Sequence, residues 1–501
     1  MTHRFPDRST LTQWLTVAAI LASLSMVPSD HASAFSPDLP IDPDVVYLAG
    51  FEGDAIDPVF PMNGSEYVLP PGPTADQLEW LLDELAVGET TTLTEVQQRF
   101  SPGFDAASMQ SFINDVLRVD FPNARITDLI ALTPMRATAI IDGDSGPATS
   151  GFLQFGASYT GDNLIDFLQV TPFGGSVQFP ADQALTLAGA ADRFMNVHPE
   201  NGVFIGFIDA AGRCRALEER EPHTPRALGS VFKTWVLGAT AADVADGIYG
   251  RDDPIELIAE ERAAGGIINN QPLGTLFTIQ DMATLMMGVS DNTATDHLHE
   301  LAGRDLVGGM VEQYGVADPD RLQPFLNISE QFHVFTRFDL PTALSYVEGT
   351  EAFQQTFLAS SLIPEGPSFP VNYPFFHSSL LTTGTWQASP TDICRTLAGL
   401  RATPTDGGAF ELVDQAMSAG VAQPNIRNAW DRAWFKGGSL ASSAFGTHVL
   451  AYAWLLENEG DFPPFVVVAL ANDPNGGIDG FDLQSVTNRM VELVGELQPW
   501  D

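Results

Sequence analysis

Leu228-Gly-Ser-Val-Phe-Lys-Thr-Trp-Val-Leu-Gly-Ala239 joins a short polar motif to an apolar run. The run from Trp235 follows directly on Ser230-Val-Phe-Lys233, and the pattern predicts a helix opening at about Ser230. Residues i and i+3 share a helix face, so the Lys233 amine is expected to reach the Ser230 hydroxyl. A serine hydroxyl is a weak nucleophile without an adjacent base. A lysine amine becomes such a base when burial disfavours its charged form. The helix N-terminus adds backbone N–H groups that stabilise a developing oxyanion. Ser-x-x-Lys alone arises by chance in many proteins. A count singles this one out: of 23 basic residues only Lys233 and Lys436 are lysines, leaving 21 arginines, and arginine does not give up its proton. The bland alternative is two stray surface lysines.

Two further clusters stand downstream. Ser290-Asp291-Asn292 follows the amphipathic run Ile279–Met287. It offers a hydroxyl for proton relay and an amide for holding substrate, or else simply a helix-capping turn. Lys436-Gly437-Gly438-Ser439 follows Trp434-Phe435 on a strand-like run. Its glycines let a substrate backbone approach the strand edge, and Lys436 supplies positive charge for a carboxylate. The alternative is a tight bend with a solvated lysine.

Taken in order, Ser-x-x-Lys, Ser-Asp-Asn and a Lys-Thr-Gly-like triplet form a known signature. Over about residues 200–501 the chain thus resembles the class A serine β-lactamases and penicillin-binding proteins. Thr278-Ile-Gln-Asp-Met-Ala-Thr-Leu-Met-Met-Gly-Val-Ser-Asp-Asn-Thr-Ala-Thr295 is similar to the family's segment around its second motif. The resemblance implies that Ser230 is acylated, with Lys233 as its general base. It implies that Ser290 passes a proton to the leaving group, that Asn292 binds a substrate amide, and that Lys436 holds a carboxylate. The backbone N–H groups of Ser230 and Ser439 form the implied oxyanion hole, and Gly438 lies on the substrate-binding edge. Neither cofactor nor metal is implied. Two departures stand out. Gly437 replaces the usual Thr or Ser. The stretch Arg321–Glu330 lacks the expected spacing of the glutamate that activates the deacylating water, with Glu330 and His333 as substitutes or as ordinary helix-start and surface residues.

The function expected is an exported serine hydrolase acting through an acyl-enzyme on a β-lactam, ester or peptide-like amide, with slow turnover as β-lactamase or esterase. The alternatives are a penicillin-binding or ligand-sensing protein acylated without turnover, and a D-Ala-D-Ala peptidase. The partner implied is a small molecule bearing a carboxylate.

Ahead of this region lies a second pattern. Thr74-Ala-Asp-Gln77 reads as a capping box before Leu78, Leu81, Leu82 and Leu85, and Met109, Phe112, Ile113, Val116 and Leu117 mark another helix. The runs Ile126–Leu132, Ala137–Ile141, Gly151–Ser158 and Leu164–Thr171 read as strands. Helices followed by hairpins predict a small α+β unit with a curved antiparallel sheet, a ligand cup or a docking module. The whole arrangement resembles the clavulanic-acid-cluster β-lactamase-like esterase and related actinobacterial lipoproteins. In those the first domain is similar to steroid isomerases and polyketide cyclases, a steroid-isomerase/cystatin-like sheet. The fold class expected is therefore α+β. A small curved-sheet domain (74–195) precedes a serine β-lactamase/DD-peptidase-like domain (196–501), whose antiparallel sheet is built from strands at both its ends with a helical part between. Ile363–Thr385 reads as an inserted loop that could cover the site.

Composition bounds the rest. The 501 residues are 44% apolar and 17% charged, with mean hydropathy +0.03, which is globular. A net charge of −41 excludes nucleic-acid binding, which needs a basic face, and disfavours anionic membranes. Residues 1–34 read as a signal peptide. Arg4 and Arg8 precede an apolar run, Trp14–Met26, and Ala32-Ser-Ala34 fits a cleavage site; an uncleaved anchor is the alternative. The expected destination is periplasmic or extracellular. Residues 35–73, rich in Pro, Asp and Gly, read as a tether with one short strand near Tyr47. Cys214 falls in a predicted strand and Cys394 in a distant predicted helix, so two unpaired thiols are expected, a single bridge being the alternative.

Overall fold

A computed structural model describes residues 73–497, leaving aside 102–103, 133–135, 145–149, 158–163, 174–176, 178, 420–429, 443–445 and 459–461, together with short pieces at 47–48, 62–63, 66–67 and 69. The expected leader, 1–34, lies outside the described residues, as does most of the 35–73 tether. The chain divides into two compact units, Met1–Gly174 and Gly175–Asp501. Among the described residues no helix is long and apolar enough to cross a membrane.

In the first unit five antiparallel strands lie in chain order: β1 (Tyr47–Leu48), β2 (Arg125–Leu132), β3 (Arg136–Asp142), β4 (Ser150–Ala157) and β5 (Ile165–Phe173). All four predicted apolar runs became strands. Register breaks in β2, between Ile126 and Asp128 and between Leu129 and Ala131, are of the kind that bends and twists a sheet. Helix α1 (Pro73–Glu84) starts just ahead of the predicted cap and buries Leu78 and Leu81. Helix α2 (Leu93–Arg99) was not foreseen, although Thr92 and Glu95 form a readable capping box. Leu78, Ile113, Leu117, Leu129, Leu153 and Phe155 meet in one fully buried core.

The second unit begins earlier than the expected residue 196. Helix α3 (Leu187–Met195) presents Ala190, Ala191 and Phe194 to the sheet of this unit, so its apolar face assigns it here. The sheet has five antiparallel strands: β6 (Glu200–Ile208), β7 (Cys214–Arg220), β8 (Arg432–Ser442), β9 (Gly446–Glu457) and β10 (Phe465–Asn472), in the order β8-β9-β10-β6-β7. Strands from the two ends of the unit thus pair, β10 with β6, as the apolar runs implied. The centre of β10 is buried on both faces, because the C-terminal helix Gly480–Glu496 and α3 cover one side and further helices the other. Strand β8 is an edge of the sheet, and the Gly229–Phe232 turn lies against it.

Between β7 and β8 run the helices that complete the fold: α4 (Lys233–Ala245), α5 (Ile279–Gly288), α6 (Asn292–Ala302), α7 (Arg304–Gln313), α8 (Ile328–Thr336), α9 (Leu340–Val347), α10 (Glu351–Phe357), α11 (Pro390–Arg401) and α12 (Ala409–Ser418). Helix α4 is apolar on nearly every side and correspondingly buried. Helices α8 and α9 and the segment to Leu381 build a separate cluster from Val334, Phe335, Tyr346, Leu358, Leu362 and Leu380, against which Leu440 of β8 packs. The predicted insertion, Ile363–Thr385, is mostly irregular chain, as expected, with short 3-10 turns at Ile363–Glu365 and Ser378–Leu380, and Leu380 and Leu381 pin its end into this core.

The cysteine expectation is overturned. Cys214 and Cys394 form a disulfide, with Cα atoms 6.3 Å apart. Helix α11 lies against β6, β7 and β10, which brings Cys394 to the edge strand that begins with Cys214. A sequence separation of 180 residues carried no hint of that adjacency.

Candidate active site

The Ser230 turn is clamped from both sides. Residues Arg226–Ala227 pair with Gln387–Ala388, Leu228 N–H donates to the Trp386 carbonyl at 3.1 Å, and the Trp386 ring stacks on Phe232 at 3.6 Å. From β10, Asn472 accepts from Ala227 N–H at 2.8 Å and donates back to its carbonyl at 3.1 Å. Sequence reasoning missed Asn472 and Trp386, since neither belongs to a local motif. The turn itself, Gly229–Phe232, is a 3-10 turn, and the α-helix starts at Lys233 rather than at Ser230. In a 3-10 turn residues i and i+3 eclipse, so Ser230 and Lys233 still share a side.

Two glycines allow this turn to lie on strand β8. Gly229 has φ +50, and a Cβ on it would fall 2.6 Å from Ser439 N. A Cβ on Gly438 would fall 2.1 Å from the Leu228 carbonyl and 2.7 Å from Ser230 N. Ser230 and Ser439 thus come together through bare backbone, with Ser439 exposed and Ser230 partly so.

The second element enters at the junction of α5 and α6. Ser290 is left-handed, φ +59, a conformation that costs a non-glycine residue about 1–2 kcal/mol. Its neighbours hold it there. Asp291 caps α6 through Ala294 N–H at 2.8 Å and also accepts from Ile267 and Ile268 N–H at 2.6 and 3.0 Å. Gly266 makes room for that carboxylate.

Both lysines converge on Ser290. Lys233 Nζ donates to the Ser290 carbonyl at 2.6 Å and to Asn292 Oδ1 at 2.7 Å, and lies 3.1 Å from Ser290 Oγ. Lys436 Nζ lies 3.0 Å from the same Oγ and donates to the Gly437 carbonyl at 2.7 Å. One hydroxyl therefore bridges two buried amines contributed by α4 and β8. Burial lowers the Lys233 pKa to about 7, against the opposing pull of Asp291 and Asp296. Burial, and then the charge of Lys233, push Lys436 well below the ordinary lysine range. The arrangement brings an amine that titrates near neutrality, a hydroxyl shared by two amines and a partly exposed serine into one place, groups of the kind acyl transfer uses.

The geometry departs from the sequence expectation at two points. Among the described residues' hydrogen bonds, those of Lys233 Nζ go to Ser290 and Asn292, and none goes to Ser230 Oγ. Asn292 is engaged at both ends, its Nδ2 donating to the Ala264 carbonyl at 2.6 Å, so its amide already holds protein groups. The two candidate substitutes for the water-activating glutamate are tied elsewhere. Glu330 forms a capping box with Asn327 and a two-pronged ion pair with Arg304 at 2.6 and 2.8 Å. His333 Nε2 bonds the Gly366 carbonyl at 2.8 Å.

Residues 219–352 match the model of the beta-lactamase enzyme family. That span carries Ser230, Lys233, Ser290 and Asn292, and the resemblance to serine β-lactamases and penicillin-binding proteins stands on it. Lys436, Gly438 and Ser439 lie beyond it. The fold of helices and antiparallel sheet is β-lactamase-like. Solved structures similar to the chain include a β-lactamase from Chitinophaga pinensis, 16% identical, with a TM-score of 0.42, covering 61% of this chain and 97% of that one. Another is a β-lactamase from Sphaerobacter thermophilus, 17% identical, TM-score 0.42, covering 62% and 97%. A mutant of PBP-A solved as an acyl-enzyme complex with penicillin G is 15% identical, TM-score 0.39, covering 61% and 96%. No curated protein sequence matches the chain.

Proposed function

We propose that this protein is an exported serine hydrolase that forms an acyl-enzyme on Ser230 with a β-lactam, ester or peptide-like amide bearing a carboxylate. The observation that carries the reading is the Ser290 hydroxyl held 3.1 and 3.0 Å from the two buried amines. Ser230 Oγ attacks the carbonyl carbon while its proton passes to the Lys233 amine. The oxyanion is received by the N–H groups of Ser230 and Ser439, each such donor being worth about 3–4 kcal/mol in the transition state. Collapse breaks the C–N or C–O bond. Ser290 then gives its proton to the leaving group and is reprotonated from a lysine. Lys436 orients Ser290 and attracts the substrate carboxylate.

Release of the acyl group requires a base for water. The ion pair of Glu330 with Arg304 and the bond from His333 to a carbonyl favour slow turnover, and with it the second reading, a penicillin-binding or sensor protein that stays acylated. Export is supported by the leader-like residues 1–34 and by the disulfide, a bond at home in oxidising compartments. The test is intact mass spectrometry after exposure to penicillin G and to a chromogenic ester, with Ser230→Ala as control. A single adduct on Ser230 is expected. Absence of both adduct and product with the wild-type protein removes the proposal, and a persistent adduct without product selects the second reading.

A further inference from the structure

We infer that the Ile363–Thr385 loop belongs to the catalytic apparatus, with Ser368 as a positioning residue that holds Asn292, and through it Lys233. The inference rests on the acyl-transfer reading above. It begins where Asn292 ends: its Oδ1 receives Lys233 Nζ at 2.7 Å and its Nδ2 donates to the Ala264 carbonyl at 2.6 Å. The Ala264 N–H in turn donates to Ser368 Oγ at 3.0 Å. Ser368 is itself fixed by Ser329 of α8, whose Oγ donates to Ser368 Oγ at 3.2 Å and accepts from Ser368 N–H at 3.1 Å. Ile328 and Ser329 N–H then donate to the Asp296 carboxylate at 2.7 and 3.0 Å. Asp296 stands one turn beyond Asn292 on α6, so the chain of bonds leaves α6, crosses the insertion and returns to α6.

The circuit is buried and reinforced. Ala264, Asp296, Ser329 and Ser368 are all buried. The Phe369 N–H donates to the Arg262 carbonyl at 3.2 Å, and the Arg262 guanidinium lies 4.6 Å over the Phe369 ring. Thr293 exchanges hydrogen bonds of 3.0 and 3.1 Å with Ala263. The 262–264 segment is thus gripped between α6 on one side and the insertion on the other, and the Asn292 amide hangs from it. Removing the Ser368 hydroxyl leaves the Ala264 N–H without its acceptor in a buried place, a greater cost than the bond itself. The segment then relaxes, and misplacement of a reacting group by about 1 Å can cost about 100-fold in rate.

The experiment compares second-order acylation constants for penicillin G and a chromogenic ester. Ser368→Ala is expected to lower them about tenfold, and Ser368→Thr, which keeps the hydroxyl, to restore them to within about threefold. In the Asn292→Ala background the Ser368→Ala change is expected to cost less than about twofold, since the group it positions is gone. A wild-type rate for Ser368→Ala overturns the inference and leaves the acyl-transfer reading intact. So does an equal loss in both backgrounds, which marks a purely structural role. If wild type forms no Ser230 adduct, the reading fails and the inference falls with it. If Ser368→Ala does not fold, Ser368→Cys, of similar size and a poorer acceptor, carries the same comparison.

Discussion

Replacing Lys233 by arginine isolates what its burial does. As the proposed base, Lys233 works only after losing a proton. At the ordinary lysine value of 10.5 it would be a free amine at pH 7 in about three molecules per ten thousand. At about 7, where burial holds it, one molecule in two is ready, a gain of about 10³ in working base. Arginine keeps its proton at every pH used, so Lys233→Arg should lose about that factor or more, even though the charge and much of the length are preserved. The sign of the pH dependence follows from the same shift. Because the protonated form is inactive, acylation should rise with pH through a midpoint near 7 and then level off. Stopped-flow acylation by penicillin G from pH 5 to 10, on wild type and Lys233→Arg, measures both. A wild-type midpoint above 9 would refute the reasoning, as would a Lys233→Arg rate above about a tenth of wild type.

Gly438→Ala sets a methyl group 2.1 Å from the Leu228 carbonyl and 2.7 Å from Ser230 N, both backbone, so neither side can swing away. Acylation should fall by more than about 100-fold, with about 2–3 kcal/mol lost from stability, read by adduct formation and a thermal melt. The disulfide predicts no thiol titratable under denaturing conditions before reduction. Cys394→Ser should cost about 2–5 kcal/mol in a denaturant melt, and an unchanged midpoint would count against the bridge. Glu330→Gln leaves the half-buried Arg304 guanidinium without its two-pronged partner and should destabilise the protein by about 3 kcal/mol. The deacylation rate should stay within about threefold, and its collapse would make Glu330 the missing base.

Much of this architecture was readable because it is local. The four apolar runs of the first unit, bounded by turn residues, each became a strand. Ser290 was found from its motif, but not that its own carbonyl would turn, through φ +59, to meet Lys233. The helix start was misplaced at Ser230 because a 3-10 turn and a first α-turn carry the same side-chain pattern. Ile363–Thr385 was rightly read as a loop, but not as one whose end Leu380 and Leu381 anchor in a core contributed by α8 and α9.

The chain's composition and motif order singled out the candidate site groups: two lysines in 501 residues, each beside a serine-bearing motif. Where those groups point was decided by contacts between segments far apart in sequence. Lys436 reaches Ser290 across 146 residues, Asn472 clamps Ala227 across 245, and Cys394 meets Cys214 across 180. Local patterns encode secondary structure because they report which face of an element is apolar. The direction of an amine, the fall of its pKa and the pairing of thiols depend on what packs against them, and that exists only once the sheet and its helices have closed.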